Sequence, residues 1–140
     1  MGNAPSVKKV GFEDIQYIQN NGNNGIIINT LNINEQNCII SSTITPNKEE
    51  KVINDMLKQD LTTTIIIYGR NNLDETIYQK YKDLVYLGFK NVYIYPGGIF
   101  EWMCLQDIYG FEEFKTTTKE IDILKYKPVS KLNALMITNY

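Results

Sequence analysis

Histidine is absent from this chain, and cysteine (Cys38 and Cys104), arginine (Arg70 alone), tryptophan (Trp102 alone) and alanine (Ala4 and Ala134) are scarce. Without histidine, the commonest metal ligand and the usual general base near neutral pH are both missing. The two cysteines stand far apart with no C-x-x-C pair, so they cannot build a structural zinc site on their own. No metal and no cofactor are expected. Long apolar runs are lacking too: none approaches the roughly 20 residues of a transmembrane helix, and the start of the chain has no signal-peptide apolar stretch. The expected setting is a reducing cytosolic compartment with both thiols free. Finally, there is no bias of charge, with Lys+Arg 14 against Asp+Glu 16 and a formal net charge of -2. No lysine-arginine stripe with interleaved aromatics appears, which argues against nucleic acid as a partner.

The 140 residues, 43% hydrophobic and 21% charged, suit one globular domain with a real core. Its first six residues, Met1-Gly2-Asn3-Ala4-Pro5-Ser6, fit the M-G-x-x-x-[ST] pattern of N-myristoylation, with Gly2 as the acceptor. A frayed tail that happens to begin Met-Gly is the bland alternative. Lys8 and Lys9 follow at once and would add to attraction toward an anionic leaflet. A single myristoyl chain binds membranes marginally and reversibly, and no neighbouring cysteine offers a second acyl site.

Apolar spacing over residues 12–18 predicts a short amphipathic helix, closed by the turn-rich residues 20–25. Continuous β-branched runs at residues 25–29 and 64–68, with residues 91–95 and a shorter run at 38–41, predict strands buried on both faces. Thr45 and Pro46 open a helix with Val52, Ile53, Met56 and Leu57 on its buried stripe. Asp74 is placed to cap the next helix, with Ile77, Tyr81, Leu84, Val85 and Leu87 facing inward and Gly88 ending it. Pro96-Gly97-Gly98 turns sharply into a helix over residues 100–108 anchored by Phe100 and Trp102. Ile121, Ile123 and Leu124 are candidates to dock a final helix, and the chain past Pro128 reads as an arm or as disordered. Strands alternating with helices imply a mostly parallel sheet covered on both faces.

This order, together with Leu87-Gly88-Phe89-Lys90-Asn91-Val92-Tyr93 and Gly97-Gly98-Ile99-Phe100-Glu101-Trp102, resembles a rhodanese-like domain over residues 10–114. The N-terminal Met-Gly-Asn and Leu105-Gln106-Asp107-Ile108-Tyr109-Gly110 look more narrowly like small rhodanese-like proteins of protists and of the large DNA viruses that infect them. The resemblance implies an α/β fold with a mostly parallel sheet of about five strands and helices on both faces. Residues 1–9 are then a flexible, myristoylated segment and residues 115–140 a C-terminal helix or arm.

In active members of that family, the loop after the central strand carries a persulfide-forming cysteine whose anion is held by backbone N–H groups and a helix N-terminus. Here the cysteine position is Gly69, and Asp74 and Glu75 stand where basic or small hydroxyl residues help to hold an anion. Asn29 replaces the aspartate usual after the first strand, and Leu31 replaces an arginine that commonly follows it. The candidate site is therefore a degenerate loop, Gly69, Arg70, Asn71, Asn72, Leu73 and Asp74, with no catalytic residue. Arg70 is either a bidentate donor to an anion in a small nest of N–H groups or a side chain solvated or paired with a neighbouring carboxylate. Cys38 and Cys104 read as core packing.

The functional expectation is a rhodanese-like module without sulfur-transfer chemistry that binds or scaffolds an unidentified protein partner. Membrane lipid would hold it through myristate on Gly2. The alternatives are a sulfurtransferase or phosphatase-like enzyme using a displaced cysteine, and a structural component of a virion.

Overall fold

The computed structural model describes residues 6–22 and 24–132. Its frame is a parallel sheet of three strands, β1 (Gly25–Asn29), β2 (Thr64–Tyr68) and β3 (Asn91–Tyr95), in the order β1-β2-β3. The registers align Ile27 with Ile66 and Tyr93, and Ile28 with Ile67 and Ile94. Because successive strand residues point to opposite faces, these rows divide the core in two. Ile27, Ile66, Tyr68 and Tyr95 pack with Ile15 and Ile18 of α1 (Phe12–Asn20) and with Ile99, Trp102 and Met103 of α4 (Gly98–Tyr109). Ile28, Ile65, Ile67, Val92 and Ile94 pack with Ile53 of α2 (Pro46–Gln59) and with Ile77 and Leu84 of α3 (Thr76–Tyr86). Both faces of the sheet are thus covered by helices, which is what its unbroken β-branched runs demand.

The sheet has three full strands where about five are expected, and the two outer positions are reduced to single bridges. Thr43 pairs with Ile27 on one edge and Lys9 with Ile94 on the other, both parallel. Residues 38–41 do not form a strand. Ile40 makes one antiparallel bridge to Thr116, and its N–H is taken by the Tyr68 hydroxyl (3.1 Å) rather than by a ladder. Short stretches cannot sustain a ladder where side chains supply the partners instead.

Three other expectations are corrected. Val85 and Leu87 are 43% and 46% exposed rather than inward, because Leu84 and Phe89 already fill that side of the core. The Thr45 hydroxyl donates to Asn47 Oδ1 (2.5 Å), so α2 is opened by the Thr45 carbonyl, which accepts from Lys48 N (2.9 Å), and not by a side-chain cap. Ile121 and Leu124 are exposed, and what docks in their region is a single turn, the 3₁₀ helix Ile123–Tyr126, whose Tyr126 is fully buried. Upstream of that turn, Thr117 N donates to Ile39 O (2.8 Å) and the Trp102 indole donates to Lys115 O (3.1 Å), so residues 115–126 lie against the domain. The expectation for the chain past Pro128 falls largely on residues 133–140, outside those described, as does the acceptor Gly2.

Gly98 is the position where backbone geometry leaves no choice of residue. It has φ +65°, and a Cβ there would lie 2.6 Å from Gly69 O and 2.9 Å from the Arg70 carbonyl carbon. The absence of a side chain lets α4 begin against the loop that follows β2, where Ile99 N donates to Gly69 O and Phe100 N to Arg70 O, each at 3.0 Å. Gly98→Ala should cost at least about 2 kcal/mol in urea unfolding, since a left-handed backbone and a backbone clash add. Gly22→Ala, which meets nothing within 4 Å, should stay within about 0.5 kcal/mol of wild type.

Candidate functional site

In a parallel sheet the loops at the carboxyl ends of the strands converge, and clefts form there. This protein follows that rule. A cleft of about 580 Å³ lies between the loops after β1 and β2, with Glu35, Arg70, Asp74, Glu75 and Thr76 among its lining and Val129 and Lys131 closing it from the C-terminal side. Asn71 and Leu73 also line it. Asn72 is exposed beside them in the loop.

The loop of residues 69–74 is organised around one carboxylate. Asp74 Oδ2 accepts from Arg70 N (2.8 Å), and Asp74 Oδ1 accepts from Thr76 N (2.9 Å) and from the Thr76 hydroxyl (2.6 Å). Asp74 is not the cap residue it was expected to be: the cap position of α3 is Glu75, which makes no side-chain cap bond, and Asp74 one residue earlier ties the loop to the first residue of the helix. The bond to Arg70 N reaches back across the loop and occupies a donor that would otherwise face a bound anion. Asn71 consumes two further groups, its Oδ1 accepting from Leu73 N (2.9 Å) and its carbonyl accepting from Asp74 N (3.1 Å). Gly69 belongs to the same arrangement: a Cβ on it would come within 2.5 Å of Asp74 Oδ2 and 3.0 Å of Ile77 Cγ2. The inward carboxylate and the missing side chain are therefore one feature.

Of the two readings of Arg70, pairing with a carboxylate is the one found. Its guanidinium makes an ion pair with Glu35, donates to the Lys125 carbonyl, and lies 5.8 Å from the Tyr126 ring centroid. The neighbouring Asn71, 6% exposed, donates through Nδ2 to Tyr126 O (2.9 Å). Thus two loop side chains grip consecutive main-chain carbonyls of the turn at residues 123–126. Glu35 and Tyr126 are participants that sequence reasoning missed. A lone arginine in a cleft needs a carboxylate, and Tyr126 is the one aromatic between Lys125 and Lys127, but neither signal identifies its partner.

The first strand's end tells the same story. Where a carboxylate is usual, Asn29 accepts through Oδ1 from Leu31 N (2.9 Å) and from Gln36 Nε2 (2.7 Å), while its own Nδ2 donates to Gln36 Oε1 (3.1 Å). The amide pair is neutral and self-contained. Leu31 is buried in the core on the α1 and α4 side.

Neither thiol lines the cleft. Cys38 is 2% exposed, with its Sγ 3.4 Å from the Thr118 carbonyl oxygen. Cys104, half-buried on α4, has its thiol pKa pushed up by burial, then by the negative charges of Asp107 and Glu101. That is the opposite of the electropositive setting that makes a reactive thiolate. Among the described residues no group of three or more His, Cys, Asp or Glu is arranged to hold a metal ion.

Comparison with known proteins agrees with this geometry. No curated protein matches the chain significantly. Among solved structures, a protein from Bacillus halodurans has a TM-score of 0.61 at 15% identity, with 91% of this chain and 89% of that one covered. The rhodanese-like domain of an Anabaena protein has a TM-score of 0.53 at 20% identity, with 90% and 94% covered. The As-Sb reductase from Leishmania major has a TM-score of 0.53 at 14% identity, with 96% and 100% covered. At these identities the likeness is one of fold. The family model described as Rhodanese-like domain matches residues 9–104, so the chain belongs to the rhodanese-like domain family.

Proposed function

We propose that this rhodanese-like domain has no sulfur-transfer activity and serves as a binding or scaffold module held at a membrane by myristate on Gly2. The observation that carries the first half is the Asp74 carboxylate, which takes backbone donors of the loop from within while Gly69 presents no thiol beside it. A carboxylate at a helix N-terminus satisfies the positive potential that would otherwise stabilise a thiolate or persulfide. A displaced-thiol enzyme finds no support in the placement of Cys38 and Cys104, and the fold shared with the As-Sb reductase of Leishmania major brings no thiol into this cleft.

In a thiosulfate:cyanide assay, wild type, Cys38→Ser and Cys104→Ser should be equally inactive. Gly69→Cys should not restore turnover, because the new thiol would crowd Asp74 Oδ2 and face its charge. Cysteine-dependent turnover in wild type, or turnover by Gly69→Cys approaching that of an active rhodanese, overturns the reading.

The tether rests on Gly2, Ser6, Lys8 and Lys9. Among the described residues no helix is long and apolar enough to cross a membrane. Co-expression with an N-myristoyltransferase should add one myristoyl group to wild type and none to Gly2→Ala. Binding of the acylated protein to vesicles should be weak, stronger on anionic lipid and reduced by salt, since salt screens the lysines but not acyl insertion. An unmodified wild type under conditions that acylate a control withdraws the tether and leaves the domain assignment untouched.

A further inference from the structure

We propose that the end of the domain opposite the cleft, built from the last turn of α3, the start of β3 and the segment at residues 7–9, docks on an anionic membrane surface. The proposal rests on the lipid tether for residence at the membrane, and it fixes which way the domain faces once there.

Three observations converge. First, the parallel topology dictates where the tail leaves. Ile94 N donates to Lys8 O and Val10 N donates to Ile94 O, both at 2.9 Å, so residues 8–10 run alongside β3 in the same direction. Residues before Lys8 therefore head toward the beginning of β3, beside the end of α3. Consistent with this, Val7 packs against the core cluster that α3 covers, and Lys8 N lies 3.4 Å from the Tyr81 hydroxyl. Gly2 precedes Ser6 by four residues, a chain length that spans at most about 15 Å from Ser6 to the acceptor amine.

Second, the same corner exposes apolar side chains that the core does not use: Val85 at 43%, Tyr86 at 91% and Leu87 at 46%. With Tyr86 almost fully exposed the patch protrudes, which suits insertion at a headgroup boundary better than reception of a protein ridge. Third, lysines surround it. Lys8, Lys9, Lys82 and Lys90 are all exposed, and Lys8 Nζ sits 3.5 Å from Lys90 O, over the face of Tyr93. Acidic groups near this corner include Asp83, which accepts from Gln79 Nε2, Asp60, whose oxygens accept from Thr62 and Thr63, and Asp14, which lines a hollow with Tyr93 and Thr64. The four lysines outnumber these three carboxylates at the corner. In a chain whose net charge is only -2, a corner that is locally lysine-rich would turn toward anionic lipid, with the cleft facing away from it.

The test supplies its own tether, so failure of acylation and failure of docking are distinguishable. The full chain with an N-terminal hexahistidine tag, its only histidines, is held on vesicles by nickel-chelating lipid. The vesicles contain acyl-brominated phosphatidylcholine with or without phosphatidylserine. Tyr86→Trp and Ile33→Trp, at exposed positions on opposite ends, are compared after subtracting the buried Trp102 signal. We expect bromine quenching of Tyr86→Trp on phosphatidylserine vesicles, little on neutral ones, and none of Ile33→Trp. For the untagged, acylated protein, Lys8→Gln and Lys90→Gln should each weaken binding to anionic vesicles about fivefold. Equal quenching at both positions, quenching of Ile33→Trp alone, or none at either while the protein stays bound overturns the proposal. So does quenching of Tyr86→Trp that is indifferent to phosphatidylserine.

Discussion

The carboxylate of Asp74 is the group on which the cleft end of this molecule depends. By accepting from Arg70 N and from Thr76 N it joins the two ends of the loop after β2 and ties the loop to the first residue of α3. Because its oxygen points inward, a side chain at position 69 would have to displace it. Because the loop is drawn tight, its carbonyls at Gly69 and Arg70 are presented to the N–H groups of Ile99 and Phe100, and that contact in turn requires glycine at position 98. One acidic residue thus links a strand, two helices and two glycines. In a loop that must hold a persulfide the same donors have to stay unpaired until a ligand arrives, and buried donors without partners are costly. Filling them with a carboxylate stabilises the loop and removes the reason for it to be open.

Orientation follows from the sheet. Three parallel strands send all their carboxyl ends one way and all their amino ends the other, so the two ends of the domain are free to differ in chemistry. Glu35, Asp74 and Glu75 line the cleft together with Arg70 and Lys131. Lys82, Lys90 and the exposed apolar residues of α3 lie at the other end, where Lys8 Nζ approaches Lys90 O.

Much of the fold was legible because buried parallel strands need β-branched residues in unbroken runs, and GIIIN, TIIIY and NVYIY are such runs. The expectation of a degenerate site in residues 69–74 was drawn from Gly69, Asp74 and Glu75, with Asn29 and Leu31 beside them. What failed did so for identifiable reasons. Cys38, Ile39 and Ile40 have strand-like composition, but their backbone groups go to Thr117 and the Tyr68 hydroxyl, partners distant in sequence. Val85 and Leu87 fit the helical stripe, yet Phe89 beyond the Gly88 turn fills the space they would occupy. Glu35 and Tyr126 lay in segments with no periodicity, where only tertiary contact assigns a role. Local pattern can predict an element but not which distant carbonyl an arginine will meet.

That last pairing says what the loop has become. Arg70 and Asn71 still present donors to oxygen acceptors, as a loop of this kind would toward an oxyanion. Their acceptors are the carbonyl oxygens of Lys125 and Tyr126, carried in by the chain itself, and Tyr126 is buried in the core beneath them. A covalently attached ligand needs no binding free energy to be recruited and does not leave. The donors of Arg70 and Asn71 are therefore engaged within the chain, an arrangement that suits a structural joint. What remains accessible in the cleft is its rim, with Leu73, Glu75, Val129 and Lys131 around a floor already satisfied. Recognition there would have to work through shape and rim charge, as at a protein surface, rather than through the convergent donors that capture a small anion.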